Sequence, residues 1–419
     1  WIGIGVTAIL EWVKETFEKR KALKTSLYGL VIVAFMIMAP INLIAHNFHD
    51  HDRTGNYVAY DYSYNILQSV EPNGLVFTNG DNDTFPLWFL QEVEGIRKDV
   101  RVVNLSLLNT PWYIKQLKNQ EPKVPISLSD QQIDALEIMP WKKSIVSIPV
   151  PPDVRDAFQQ EFLQNSKSTE EEIEIPETIR IEVEPTLFNQ ALRIQDIMIL
   201  NIISSNRWKK PIHFAVTVAN DNKVNLDNYF RMDGLVFKLV PYPGENIALE
   251  TLRKNLFEVY KYRGLNDPSV YLNDNIKGLL QNYRAAFLRL AHEYMIRGLS
   301  QDLVTTLDKM EEFIPSDNIP LPDVRLGLQI GQMYDIGGKR ENFIEYAEQA
   351  VKAAPNNALA YGTLVNLYSR EKMHSKAIEL LEEWLLRNPD DTDAKAKLEQ
   401  EKSLLAGQTV SQDDTVTTN

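Results

Sequence analysis

Apolar residues follow three different rhythms along this chain. Leu27 to Ala45 reads LYGLVIVAFMIMAPINLIA, 19 residues without a charge. About 20 such residues cross a hydrocarbon core roughly 30 Å thick, so a membrane-spanning helix is predicted over 27–45. Trp1 to Leu10 is another apolar stretch and comes first, which argues against a signal peptide. In the second rhythm, short β-branched runs alternate with helical periods. Gly74 to Thr78 (GLVFT) and Val100 to Leu105 (VRVVNL) predict strands, and Phe85–Val93 and Trp112–Leu117 predict helices. Strand, helix, strand is the pattern of a parallel βαβ unit. A helix over Ile197–Ile203 and strands over Pro211–Val218 and Gly234–Val240 are expected to join the same sheet. Residues 120–185 read as an irregular insertion, with a loop at Ile148–Pro152 and a polar, acidic stretch from Asn165 to Glu174.

The third rhythm begins near Asp274 and repeats in windows of 34 residues, the tetratricopeptide length. Three windows fit: 284–317, 324–357 and 358–391. Tyr294, Tyr334 and Tyr368 share one register position, and Pro315, Pro355 and Pro389 share another. Stacked repeats of this kind leave a concave face built from the first helix of each pair. Arg284, Arg289, Glu293, Arg325, Gln329 and Asn366 are expected to be exposed there and to bind protein. The polar tail 401–419 predicts disorder. The expected fold is a transmembrane helix at the amino end, an extracytoplasmic α/β domain over 46–273, and an all-α tetratricopeptide-like array over 274–400.

Charge sets the expected orientation. Lys14, Lys19, Arg20, Lys21 and Lys24 crowd residues 14–24, and positive loops stay cytoplasmic. Residues 1–13 then read as the end of an earlier span, the membrane region ends at 45, and the span over 27–45 runs outward. The expected location is the cytoplasmic (inner) membrane, with the bilayer as a partner and the later domains in the periplasm or outside. A net charge of -13 without a basic stripe argues against nucleic acid. The chain has no Cys, so disulfides, thiolate metal sites and cysteine nucleophiles are excluded.

The sharpest candidate chemistry is NGDNDT at 79–84, where a predicted strand meets a predicted helix. Ligands of open α/β sheets bind at such carboxyl ends. Asp81 and Asp83 are candidate oxygen ligands for Ca²⁺ or Mg²⁺, with Asn79 and Asn82 assisting. The plainer reading is a tight turn at Gly80 with Asp81 or Asp83 capping the helix. His46, His49, Asp50, His51 and Asp52 cluster after the span. They suit a transition metal by ligand type and an exposed juxtamembrane patch by position. His213, His292 and His374 read as structural.

Three stretches carry a family resemblance: HDRTGNYVAYDYSYNILQSVEPNGLVFTNGDNDTFPLWFLQEVEGIRKDVRVVNLSLLNTPWYIKQL (51–117), SNRWKKPIHFA (205–215) and DGLVFKLVP (233–241). Together they resemble the carboxyl-terminal part of a large family of multi-spanning membrane proteins of Bacteroidetes-type bacteria, long described as a domain of unknown function. The amino-terminal part of that family is similar to GT-C glycosyltransferases, and a eukaryotic relative is the plexin-type protein O-mannosyltransferase. The resemblance implies a parent enzyme that transfers a sugar, by O-mannosylation, from a lipid-linked donor to extracytoplasmic proteins. It places the catalytic acid upstream, so no catalytic residue is assigned to this chain, which is expected to be inert alone. Acceptor proteins or an envelope partner would meet the repeats. The rival expectation is a non-enzymatic envelope scaffold. Asp81-Asn82-Asp83 also looks like the DxD motif of nucleotide-sugar transferases, which have a different fold.

Overall fold

A computed structural model describes residues 1–166, 173–244 and 246–416. Most of the acidic stretch between Asn165 and Glu174 lies outside the described residues. The chain divides into two compact units, residues 1–56 with 267–274, and residues 57–266 with 275–419.

The first unit holds α1 (Ile2–Thr16) and α2 (Lys21–Met36), a π-helical turn (Ile37–Ile41) and α3 (Asn42–His51). Lys21–His51 is one continuous helix of 31 residues, long and apolar enough to cross a membrane. At about 1.5 Å per residue it extends well past the predicted end at Ala45. Pro40 does not stop it. Proline lacks an N–H and clashes with the preceding turn, and the wider π turn around Pro40 absorbs the misfit. Segment 267–274 packs on the helix end: Tyr271 meets His49 edge-on at 5.3 Å, and its carbonyl accepts Asn56 Nδ2 at 3.2 Å.

The second unit opens with α4 (Val58–Ser69), β1 (Leu75–Thr78), α5 (Asp81–Glu92), β2 (Arg101–Asn104) and α6 (Pro111–Asn119). Then come α7 (Asp130–Asp134), β3 (Met139–Pro140), β4 (Ser144–Pro149), α8 (Pro152–Ser166), β5 (Thr178–Val183) and β6 (Ala191–Leu192). The domain ends with α9 (Ile194–Asn206), β7 (Ile212–Ala215), β8 (Phe230–Met232), β9 (Val236–Leu239), β10 (Asn246–Ile247) and α10 (Leu249–Lys254). Six strands form one sheet in the order β10-β8-β9-β7-β1-β2. β1 pairs in parallel with β2 and β7, in the register Phe77↔Val103 and Phe77↔Phe214. β1 is buried throughout, as a strand covered on both faces must be. The insertion is more regular than expected. Ile148 and Pro149 belong to an antiparallel pair, β4 with β5, whose register runs from Ser144↔Val183 to Pro149↔Thr178. Pro149 sits at the strand end, where its missing N–H costs least.

The helical array follows as α11 (Asp274–Ile296), α12 (Ser300–Phe313), α13 (Val324–Ile336), α14 (Arg340–Ala353), α15 (Ala358–Arg370), α16 (His374–Arg387) and α17 (Thr392–Val416). Each register tyrosine is buried. Tyr334 donates to Asp308 of α12 at 3.1 Å, and Tyr368 donates to Glu348 of α14 at 2.6 Å, so each hairpin bonds back to its predecessor. Gly331 permits the α13–α14 approach, since a Cβ there would meet Phe343 Cδ2 at 2.5 Å. The tail expected to be disordered continues α17 as helix to Val416. Its anchor is Glu401, fully buried, bonded to His374 Nδ1 at 2.6 Å and to Lys397 Nζ at 2.9 Å. Residues 417–419 lie outside the described residues.

Arg284 holds the loop that separates the first two repeats. Its Nη2 donates to the carbonyls of Ile314 (3.1 Å) and Ile319 (2.9 Å). Arg284→Ala leaves two carbonyls without a donor, and each unmade buried bond costs on the order of 1 kcal/mol or more. Urea unfolding should therefore show a loss of about 2 kcal/mol for Arg284→Ala and almost none for Arg325→Ala on the exposed face.

Candidate functional site at the carboxyl ends of the central strands

β1, β2 and β7 run in parallel, so their carboxyl ends share one edge of the sheet. Asn79 and Gly80 leave β1 there and lead into α5. The Asp83 carboxylate accepts the Gly80 N–H (2.9 Å), the Asn79 N–H (2.8 Å) and Thr217 Oγ1 (2.6 Å). It thereby satisfies backbone donors at the helix start and ties β1 to the chain leaving β7. Asn104, at the end of β2, fixes the same turn through Gly80 O (3.2 Å) and Thr84 Oγ1 (2.8 Å). Both Asp83 oxygens are occupied by donors, whereas Asp81 and Asn82 are exposed at the mouth.

Asn79 continues into an amide network formed by distant segments. Its Oδ1 accepts Asn222 Nδ2 at 2.7 Å, and Asn222 Oδ1 accepts Arg193 Nη1 (2.8 Å) and Gln195 Nε2 (3.1 Å). Gln195 pairs reciprocally with Asn109, both bonds at 3.0 Å. Arg193 forks onto buried Asp196 at 2.9 and 3.0 Å, and Thr186 donates to the same carboxylate. Fixed amide and hydroxyl groups at a strand edge can orient a polar ligand without reorganising. Sequence reasoning identified Asn79 to Asp83 and missed Asn109, Arg193, Gln195, Asp196 and Asn222. The available signals were Arg193 three residues before Asp196 at a helix start, and the Asn-Asp-Asn run at 220–222 after a strand.

The residues expected on the concave face differ in placement. Arg325, Gln329 and Asn366 are exposed. Arg289 is half-buried, and Glu293 is half-buried and ion-paired with Arg297 at 2.6 Å. Arg284 corrects the expectation: it is 1% exposed, because its guanidinium serves the Ile314 and Ile319 carbonyls inside the array.

A second polar group lies beside the amino end of β1. One ligand atom each from Glu71, His213 and Asp233 falls within 4.8 Å of the others. The fixed cations Arg231 and Lys238 sit on these acids. Arg231 forks onto Asp233 at 2.7 Å, and Lys238 bridges Glu71 (2.5 Å) and Glu161 (2.8 Å). Three acids thus face two bases. Burial alone would push the Glu161 carboxyl up, but Arg231 and Lys238 outweigh it and hold it below its ordinary value. Burial pushes His213 down to about 4, with Lys238 and Arg231 also opposing its charge, so the ring is neutral at pH 7.

Two outcomes follow. An imidazole with a folded pKa near 4 against 6.5 unfolded contributes stability that is complete above 6.5 and declines as the pH falls toward 4. The loss of stability between about pH 7 and about pH 5, read from urea midpoints, should be smaller in His213→Asn by on the order of 1–3 kcal/mol. At the strand edge, Asp83→Ala should cost about 1–2 kcal/mol through the lost helix-start bonds, with Asp81→Ala near neutral in the same measurement.

Residues 59–137 and 127–255 match the family model of TMEM260-associated domain 2, and residues 344–400 match that of a tetratricopeptide repeat. The first matches cover the sheet domain with its amide network and buried charged group. The second covers α15, α16 and parts of α14 and α17. A curated relative is a sesquiterpene synthase TPS2 of Cananga odorata, 26% identical over 161 residues, 37% of this chain and 27% of that one. The chain spans about a quarter of the length of that relative. A TMEM260-associated domain thus stands beside a tetratricopeptide repeat, of the kind that mediates protein contacts, and a helix long and apolar enough to cross a membrane.

Proposed function

We propose that this chain is the extracytoplasmic, acceptor- or partner-binding part of a membrane glycosyltransferase-like protein that transfers a sugar, by O-mannosylation, from a lipid-linked donor to proteins. The observation that carries this reading is the match of 59–255 to a TMEM260-associated domain, next to the apolar helix Lys21–His51. Lys14, Lys19, Arg20, Lys21 and Lys24 support a cytoplasmic turn between α1 and α2, which sends α3 outward into the periplasm. In this reading the inner membrane holds the helices, and the rigid turn at Asn79–Asp83 and the repeats face the acceptor. Any divalent cation would meet Asp81 and Asn82 first. In this reading none of this chain's residues is assigned the chemistry of transfer. A scaffold reading, in which the repeats only assemble an envelope complex, is favoured by the tetratricopeptide match alone.

The absence of Cys makes topology directly testable. Thr54→Cys should react with a membrane-impermeant maleimide in intact cells, and Thr16→Cys only after permeabilisation; the reverse pattern refutes the orientation. Removal of the gene should abolish O-linked sugar on a subset of periplasmic proteins, and an unchanged glycoprotein profile leaves the scaffold reading. Purified parent protein carrying Arg325→Glu, Gln329→Glu and Asn366→Glu should lose its protein partner in a pull-down, whereas equal recovery moves the contact off this face.

A further inference from the structure

The central sheet ends at β2, and an open cleft of about 640 Å³ lies along that edge. Its walls are aromatic. Trp88 of α5 and Trp112 of α6 both line it, with ring centroids 6.5 and 5.6 Å from that of Tyr113, and Trp112 is 58% exposed. Two features of the floor bear on what can enter. An added peptide strand needs the outward N–H and C=O groups of β2, and Tyr113 already occupies two of them: its hydroxyl accepts the Asn104 N–H at 2.9 Å and reaches the Val102 carbonyl at 3.4 Å. Strand addition is therefore blocked by a buried side chain. Arg101 lies on the floor with its Nε buried and without an acceptor, while its Nη1 donates to the Glu121 carbonyl at 3.3 Å. Burial lowers the Arg101 pKa, the mark of a poorly solvated cation.

Charge narrows the occupant further. Lys98 and Arg101 face Glu92 and Glu121 around the cleft, two bases against two acids. An anion would meet both carboxylates and a cation both bases. The fitting ligand is uncharged, carries oxygen acceptors for the Arg101 guanidinium where it lines the cleft, and presents flat C–H faces to indole rings. Those properties describe a saccharide, whose axial hydrogens stack on aromatic faces while its hydroxyls take the polar rim. The volume falls within the range of small-ligand sites, roughly 300–1,000 Å³.

We propose that the cleft between Trp88 and Trp112 binds a neutral saccharide, with Trp112 as the stacking platform and Arg101 as the oxygen donor. The inference does not depend on the transferase reading: a saccharide held by a chain that takes no part in transfer leaves it intact. The test is tryptophan fluorescence and calorimetry on the full chain with maltotriose, cellotriose, mannotriose and inorganic phosphate. At least one trisaccharide should bind saturably in the millimolar range and phosphate should not. Trp112→Ala should weaken binding about five- to tenfold, the loss of one ring contact, and Arg101→Gln should weaken it as well. Thermal unfolding of Trp112→Ala should match the parent, since the ring is exposed. No trisaccharide binding, binding unchanged in both variants, or phosphate binding at the cleft would each overturn the proposal.

Discussion

Three buried tyrosines and one half-buried one at the start of the helical array set the constraint on which the second unit depends. Tyr62, Tyr260, Tyr262 and Tyr283 come from α4, from the segment after α10 and from α11, and their rings pack edge-on or tilted at centroid distances of 5.1 to 6.3 Å. A phenol hydroxyl placed in an apolar cluster must find a partner or lose its hydration uncompensated. Tyr283 accepts Asn65 Nδ2 at 2.6 Å, Tyr62 accepts Asn282 Nδ2 at 3.0 Å, Tyr260 is hydrogen-bonded to Ser69 Oγ, and Tyr262 donates to Leu256 O at 2.9 Å. The Asn65–Tyr283 and Asn282–Tyr62 bonds join α4 to α11, so the cluster is complete only when sheet domain and first repeat have docked. Leu235 N–H donates to Tyr260 at 2.8 Å, and Gly234 takes φ +141° where a Cβ would fall 2.1 Å from that hydroxyl. The glycine follows from the tyrosine, and the start of β9 follows from both.

This docking explains why array and sheet belong to one unit. Asp61 of α4 extends it: its carboxylate receives Arg263 Nη2 at 2.6 Å and the Arg263 backbone N–H at 3.0 Å. Phe313 at the end of α12 stacks on Tyr262 at 4.6 Å, which carries the packing into the first helical hairpin. Beyond it, the tyrosine bonds to Asp308 and Glu348 pass the register from pair to pair. Each repeat is oriented by its predecessor, and the first is oriented by the sheet domain.

What could be read from the sequence was what local periodicity determines. Short β-branched runs placed β1, β2, β7 and β9, because a strand buried on both faces needs little else. The repeat spacing placed the helical hairpins, because stacked faces demand the same residue sizes at the same positions. Long-range polar pairing was invisible. Asn79 and Asn222 are 143 positions apart, and neither residue type announces its partner. Arg284 was misread for the same reason: a charged residue on a helix suggests solvent, unless a loop turns its carbonyls inward thirty positions later. The helix runs past the predicted end at Ala45 because its hydrogen bonding, widened at the π turn around Pro40, continues through the polar residues to His51.

The two polar groups of the sheet domain show how similar residue types diverge in use. Around Asp233 and Glu161, opposite charges are buried together, and removing any one partner would leave another unpaired at a large desolvation cost. Such a lattice resists change and gives the sheet a single charge state. At the carboxyl edge the same sheet ends in neutral amides and one Arg193–Asp196 fork, with Asp81 and Asn82 left in solvent. Among the described residues, the Asp83 carboxylate at that edge is held by neutral N–H and hydroxyl donors and not by a paired cation. The cleft beside β2 sets balanced charges around aromatic faces. The domain therefore keeps its densest ion pairs on the side where β1 begins and its amide-rich polar surface at the strand ends.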